Sequence, residues 1–277
     1  MILEAPAKLN LCLYLGPTRD DGLHEIISVF EPLQLADELR VSEAEADEVV
    51  LEGIEAPDLT ARALEALREE GWDSPPLRIE VEKRVPVAAG LGGGSADAAA
   101  VLRLARGEVE GLRALAARVG ADVPAQLQPR PCLVAGAGEV IEPVPPPGNH
   151  AVVLIPQEKG LSTAEVYAEA DKLGVARGAS ELEVIRRRLR DALEGRGSPL
   201  EYPEHLINDL QPAAISLCPE VEEALVALTE AGAAHAMVTG SGPTAFGLFA
   251  TRAEADATAK DLTERYPLAV STAPGAP

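Results

Sequence analysis

Four glycines within five positions, Gly90, Gly92, Gly93 and Gly94, constrain this chain more than any other feature. They lie in Pro86-Val87-Ala88-Ala89-Gly90-Leu91-Gly92-Gly93-Gly94-Ser95-Ala96-Asp97. Leu77–Lys83 before them alternates, with Leu77, Ile79 and Val81 on one face, and predicts a strand. The alanine-rich run Ser95–Ala105 after them predicts a helix. Such a strand-to-helix turn lets successive backbone N–H groups converge on one point and lets an anion come close. The helix start adds about half a positive charge. The segment thus reads as a phosphate cradle that needs no cationic side chain. It is not a P-loop, because no Gly-Lys-Ser/Thr follows the glycines, and the G-x-G-x-x-G register of dinucleotide sites fails. A bare connector with Ser95 as a helix cap would not need so many glycines.

The rest of the chain interleaves strands and helices and predicts a mixed α+β class. Lys8–Leu15 alternates strictly, with Leu9, Leu11, Leu13 and Leu15 expected on one core face and Lys8, Asn10, Cys12 and Tyr14 on the other. Gly16–Gly22 is a loop by composition, and Leu23–Phe30 reads as the return strand. Helices are expected over Asp58–Glu70, Glu108–Val119, Thr163–Leu173, Glu181–Glu194, Val221–Ala231 and Ala253–Arg265. Ala151–Ile155 and Phe246–Phe249 read as strands, and Ala236–Gly242 as a strand entering a second glycine turn. Pro143-Val144-Pro145-Pro146-Pro147-Gly148 is a linker by composition, and divides the chain into units of residues 1–146 and 147–277.

A net charge of −21, from 45 Asp and Glu against 24 Lys and Arg, argues against nucleic acid or an anionic membrane as partner. No run of about 20 apolar residues exists, and the N-terminus lacks a basic, apolar leader. Three widely spaced cysteines, Cys12, Cys132 and Cys218, suggest neither a disulfide framework nor a zinc site, so a reducing, cytoplasmic compartment is expected.

Three further clusters are candidates for chemistry. Lys8 and Asn10 share a strand face; alone, such a lysine reads as solvated. Gly120-Ala121-Asp122-Val123-Pro124 reads alone as a helix start, with Asp122 as N-cap. Thr239-Gly240-Ser241-Gly242-Pro243-Thr244 reads alone as a turn, and could also press on a substrate or nucleotide.

Together these pieces resemble the GHMP kinase superfamily. The glycine loop is similar to that family's phosphate-binding motif. Ala5-Pro6-Ala7-Lys8-Leu9-Asn10-Leu11, Asp21-Gly22-Leu23-His24, Gly120–Pro124, Asn208-Asp209-Leu210 and Thr239–Gly242 resemble the branch acting on a cytidine diphosphate-linked methylerythritol in the non-mevalonate isoprenoid pathway. The likeness runs in order from about residue 4 to about residue 250. It implies a two-domain fold with the active site in the interdomain cleft. It also implies transfer of the ATP γ-phosphoryl group to a substrate hydroxyl.

By the same resemblance, Lys8 and Asp122 form a catalytic pair. ATP is expected on Lys83, Pro86, Val87, Ala88, Ala89, Gly90, Leu91, Gly92, Gly93, Gly94, Ser95 and Ala96. Mg2+ is expected to accompany the nucleotide, with no side chain assigned as a metal ligand. The substrate is expected on Asn10, Leu23, His24, Tyr167, Gly240 and Ser241, with His24 reading the cytosine edge and Tyr167 stacking on the ring. Two positions depart from the family: Leu23 stands where an aromatic is usual, and Ala96-Asp97 where Ser-Asn is commoner. Homoserine kinase, the decarboxylase branch and a noncatalytic nucleotide-binding relative are the other readings. The first needs no cytosine reader, and the last would lose Lys8 or Asp122.

Overall fold

The computed structural model describes residues 1–51, 59–195 and 197–275. Two strands dominate its first half. β1 (Ile2–Thr18) and β2 (His24–Glu43) pair antiparallel along almost their whole length. On its other edge β2 pairs over Ile26–Phe30 with β5 (Cys132–Gly136), and over Glu38–Glu43 with β4 (Leu77–Glu82). β3 (Glu48–Leu51) extends the sheet parallel to β4, and β6 (Val140–Pro143) extends it beyond β5. Helices α1 (Leu59–Glu69), α2 (Gly93–Leu104), α3 (Leu112–Val119) and α4 (Val123–Gln126) belong to this half. The alanines of α2 are fully buried against Leu64, Leu67, Leu39 and Ile79.

The second sheet orders as β10 (Val270–Thr272), β7 (Ala151–Ile155), β9 (Ala245–Phe249) and β8 (His235–Val238), all antiparallel. Helices α5 (Thr163–Leu173), α6 (Ala179–Glu194), α7 (Gln211–Leu217), α8 (Glu220–Glu230) and α9 (Arg252–Leu262) complete it. β7 is buried on both faces, which explains its unbroken apolar run. Val152 and Leu154 join Leu9, Leu133 and the α6 leucines in a core shared by the two halves, while Ala151, Val153 and Ile155 pack with α8 and α9 residues.

The strict alternation expected for Lys8–Leu15 does not hold. A register shift between Asn10 and Cys12 changes which residues share a face. Leu9 and Leu11 share a core with Cys12 and Tyr14, while Leu13 and Leu15 enter another with Leu210 and Val238. A bulge sets two residues against one and reverses the pleat beyond it. Both faces are buried, Lys8 and Asn10 included, so the solvated reading of Lys8 fails.

Other boundaries move for local reasons. α2 begins at Gly93 rather than Ser95, because Gly92 at φ +69° takes the turn before it. Ser95 is therefore inside the first helical turn. α3 begins at Leu112 rather than Glu108, after Gly107 and Gly111 at positive φ. The expected helix start at Asp58 lies outside the described residues.

Candidate active site

The glycine loop and its surroundings line a cavity of about 560 Å³. Residues of both halves line it: Lys8, Asn10 and Phe30 from the first sheet, the loop itself, Asp122, and Thr163, Tyr167, Gly240 and Ser241 from the second half. Every expected loop residue lines it except Leu91 and Ala96, whose side chains are buried in the apolar cores. Only their backbones remain for a ligand.

Lys8 is tied down on all sides. Its Nζ donates to Asn10 Oδ1 at 2.5 Å and to Gly90 O at 3.1 Å, and lies 4.8 Å from the Phe30 ring centre. Its backbone N–H donates to Leu91 O, which ties β1 to the loop. Nζ is also 3.4 Å from Asp122 Oδ2. Asn10 is fixed in turn, donating through Nδ2 to Ser28 Oγ at 2.7 Å and through its backbone to Thr239 Oγ1 at 2.9 Å.

Asp122 does not cap α4. Its backbone is helical rather than extended, and its side chain accepts no hydrogen bond from the helix start. The carboxylate, one-third exposed, faces the cavity and Lys8. The helix-cap expectation is thereby overturned.

The two glycine turns lie against each other. Gly90, at φ +78°, could not carry a Cβ, which would fall 2.4 Å from Thr239 O. Asn208 holds the second turn, donating to Val238 O and Gly240 O, both at 2.8 Å. Asp209, next in the chain, pairs with Arg177 and accepts from Leu15 N–H. The Asn-Asp-Leu motif is therefore scaffolding for the site.

Lys83 reaches the cavity floor between two aspartates, 2.7 Å from Asp97 Oδ2 and in a short contact with Asp37. Asp37 also accepts the Arg84 and Val85 N–H groups. Burial opposes the Lys83 charge, but Asp97 and Asp37 hold its pKa above the ordinary value. Burial pushes the Asp97 carboxyl up to about 7, against the pull of Lys83, and Asp37 adds to the rise. The sequence reading assigned Lys83 to the nucleotide but missed both aspartates as its partners. The Asp for Asn at 97 was the available signal.

At the other end of the cavity, Tyr167 and His24 have ring centres 5.5 Å apart. Burial, with Asp122 nearby, raises the Tyr167 phenol well above its usual value and keeps it protonated. His24 is buried, Leu23 is exposed, and neither lines the main cavity. Of the expected substrate residues, the structure gathers Asn10, Tyr167, Gly240 and Ser241 around the cavity and leaves Leu23 and His24 beyond Tyr167. Phe30 and Asp37 were not foreseen, and Thr239 and Asp97 were noted only as a motif position and a departure from the family, because their roles arise from long-range pairing.

The profile described as GHMP kinases N terminal domain matches residues 58–128, and that described as GHMP kinases C terminal matches residues 186–268. A 4-diphosphocytidyl-2-C-methyl-D-erythritol kinase of Kineococcus radiotolerans is 37% identical, over 94% of this chain and 84% of its own length. A crystal structure of 4-(cytidine 5'-diphospho)-2C-methyl-D-erythritol kinase superposes with a TM-score of 0.81 at 31% identity, covering 99% of each chain. A homoserine kinase from Cytophaga hutchinsonii reaches a TM-score of 0.72 at 17% identity, over 98% of this chain and 92% of its own. That last likeness speaks for the fold alone.

Proposed function

This chain belongs to the 4-diphosphocytidyl-2-C-methyl-D-erythritol kinase family of GHMP kinases, and on that premise we propose that it transfers the γ-phosphoryl group of ATP to a hydroxyl of that cytidine diphosphate-linked polyol. The observation that carries the reading is the Lys8–Asp122 pair at the edge of the glycine cradle.

The triphosphate lies on the loop amides and the α2 start, which offer converging N–H groups at no cost in side-chain ordering. Lys8, held by Asn10 and Gly90, offsets charge on the transferring group. Asp122 orients the attacking hydroxyl and accepts its proton. A loose transition state asks more for alignment than for base strength. Mg2+ supplies further charge neutralisation when bound with the nucleotide. Such an ion would be held mostly by phosphate oxygens and water, with one or two carboxylates. The half-open Asp122 and the Ser95 hydroxyl fit that demand, and no group of three ligating side chains occurs among the described residues.

The cytidine end lies at Tyr167, with His24 on the base edge and Leu23 giving only apolar contact. Residues 1–146 and 147–277 act as the two walls of the cleft, joined by the proline-rich segment. Among the described residues no helix is long and apolar enough to cross a membrane. Three unpaired cysteines support a cytoplasmic setting.

The test is an ATP-consumption assay with the cytidine diphosphate-linked methylerythritol, its uncytidylylated phosphate, homoserine and mevalonate phosphate. Turnover is expected with the first alone. Equal turnover of cytidylylated and uncytidylylated substrates would overturn the assignment.

A further inference from the structure

Arg103 lies in the last turn of α2, the helix that the glycine loop begins. It is half-buried and does not line the cavity. At roughly 1.5 Å per residue it stands about 15 Å along α2 from Gly93. Among the described residues its guanidinium pairs with no carboxylate. It spends its donors on two backbone carbonyls instead. Nη1 donates to Gln126 O at 3.0 Å, and Nη2 to Glu4 O at 2.7 Å. Burial, with Arg106 nearby, lowers its pKa, as for a cation that no carboxylate offsets. Glu4 is on β1, four residues before Lys8, and Gln126 ends α4, four residues after Asp122. One guanidinium therefore joins the cradle helix, the strand of Lys8 and the helix of Asp122.

These elements need such a tie. α4 is a single turn in which the Gln126 N–H reaches Asp122 O only at 3.4 Å, and Asp122 gives it no cap. One turn does not hold itself. β1 shifts register between Pro6 and Lys8, where a bulged strand bends. The buried Gln126 amide lies 3.4 Å from Pro6 O at that shift. Apolar packing keeps α2 close to both neighbours, but it is non-directional and does not fix their offset. A guanidinium is a planar fork with fixed donor directions, so two carbonyls bound to it keep one separation.

We propose that Arg103 is a positioning residue for phosphoryl transfer, holding β1 and α4 at the offset that sets Lys8 against Asp122. This rests on the kinase reading above. Arg103 touches neither reactant and acts through the Lys8–Asp122 pair. Without it, α4 turns and carries the Asp122 carboxylate out of line with the attacking hydroxyl. Small misplacements of a positioned group are costly even when the change is remote.

The test measures kcat with ATP and the cytidine diphosphate-linked methylerythritol for wild-type protein, Arg103→Met and Arg103→Lys, each also combined with Asp122→Asn. Met keeps the apolar stem. Lys keeps the charge but not the fork. Melting curves fix an assay temperature at which the variants are folded. Both Arg103 variants should lower kcat by about 10- to 100-fold, with KM for ATP unchanged. In the Asp122→Asn background they should cost almost nothing further, because no carboxylate is left to misplace. A variant that does not fold at any assay temperature leaves the comparison to the other. Wild-type kcat in folded Arg103→Met, its restoration in Arg103→Lys, or an equal fold-loss in the Asp122→Asn background would each overturn this inference alone. No turnover of that substrate by the wild-type protein would overturn the kinase reading and this inference with it.

Discussion

The ammonium of Lys8 lies 3.4 Å from the Asp122 carboxylate, and that carboxylate leaves the helix it begins uncapped. An aspartate at a helix start that contributes no cap is free for another task, and here it faces the cavity. Asp122→Asn should therefore leave stability within about 0.5 kcal/mol, as for an ordinary surface change. Its kcat should fall by about 100-fold or more, the scale of a positioned acid–base group, with KM for ATP nearly intact. Lys8→Met should lower kcat similarly, and the double variant should lose less than the two losses combined. Near-normal kcat in Asp122→Asn would remove the residue from the mechanism.

The glycines of the loop divide by what a side chain would meet. A Cβ at Gly94 finds only Leu59, at 3.9 Å, whereas one at Gly93 meets Val85 at 3.0 Å and one at Gly90 meets Thr239 O. Gly94→Val should fold normally and lose ATP affinity by roughly 10- to 100-fold, the worth of a hydrogen bond to a charged group. Gly90→Ala should instead lower the melting temperature. Calorimetric ATP titration beside thermal melts separates the two effects. Unaltered ATP binding by Gly94→Val would displace the triphosphate from the loop.

Asp97 brings a pH dependence to the nucleotide site. Its carboxyl is pushed up to about 7 by burial, with Lys83 and Asp37 facing it. Below that pH it is protonated and neutral; above it a negative charge appears in the cavity proposed to take the triphosphate. ATP affinity should decline from pH 6 to pH 8 more steeply in the wild-type protein than in Asp97→Asn, which cannot ionise there. ATP's own titration is common to both, so parallel profiles would refute the prediction.

His150 and Glu31 form a pair with fully buried side chains, 2.9 Å apart, where the linker meets β2. Burial alone would lower the His150 pKa, but Glu31 and the Gly148 carbonyl raise it above the usual value. A raised folded-state pKa means the pair's contribution is full below about 6.5, the unfolded value, and is lost as pH rises through the folded one. The wild-type melting temperature should therefore fall from pH 6 to pH 8.5 relative to that of Glu31→Gln. A constant difference between the two across that range would exclude the pair as the source.

The sequence by itself determined the cradle, the interleaving of elements and the stretches that bear the site. Each of these rests on local physics: glycine freedom at a turn, alanine in a helix, period-two apolarity in a strand. Lys8, Asn10 and Asp122 were legible as candidates, yet local reading favoured a solvated lysine and a helix cap. Tertiary structure decided otherwise. The bulge after Asn10 reverses the pleat of β1, and Asn10, Gly90 and Phe30 enclose the lysine head. The two carboxylates that flank Lys83, Asp37 and Asp97, were not legible as its partners, beyond the departure noted at position 97. Charge pairing depends on which residues share a low-dielectric volume, and strand pairing across the chain, not spacing along it, sets that volume.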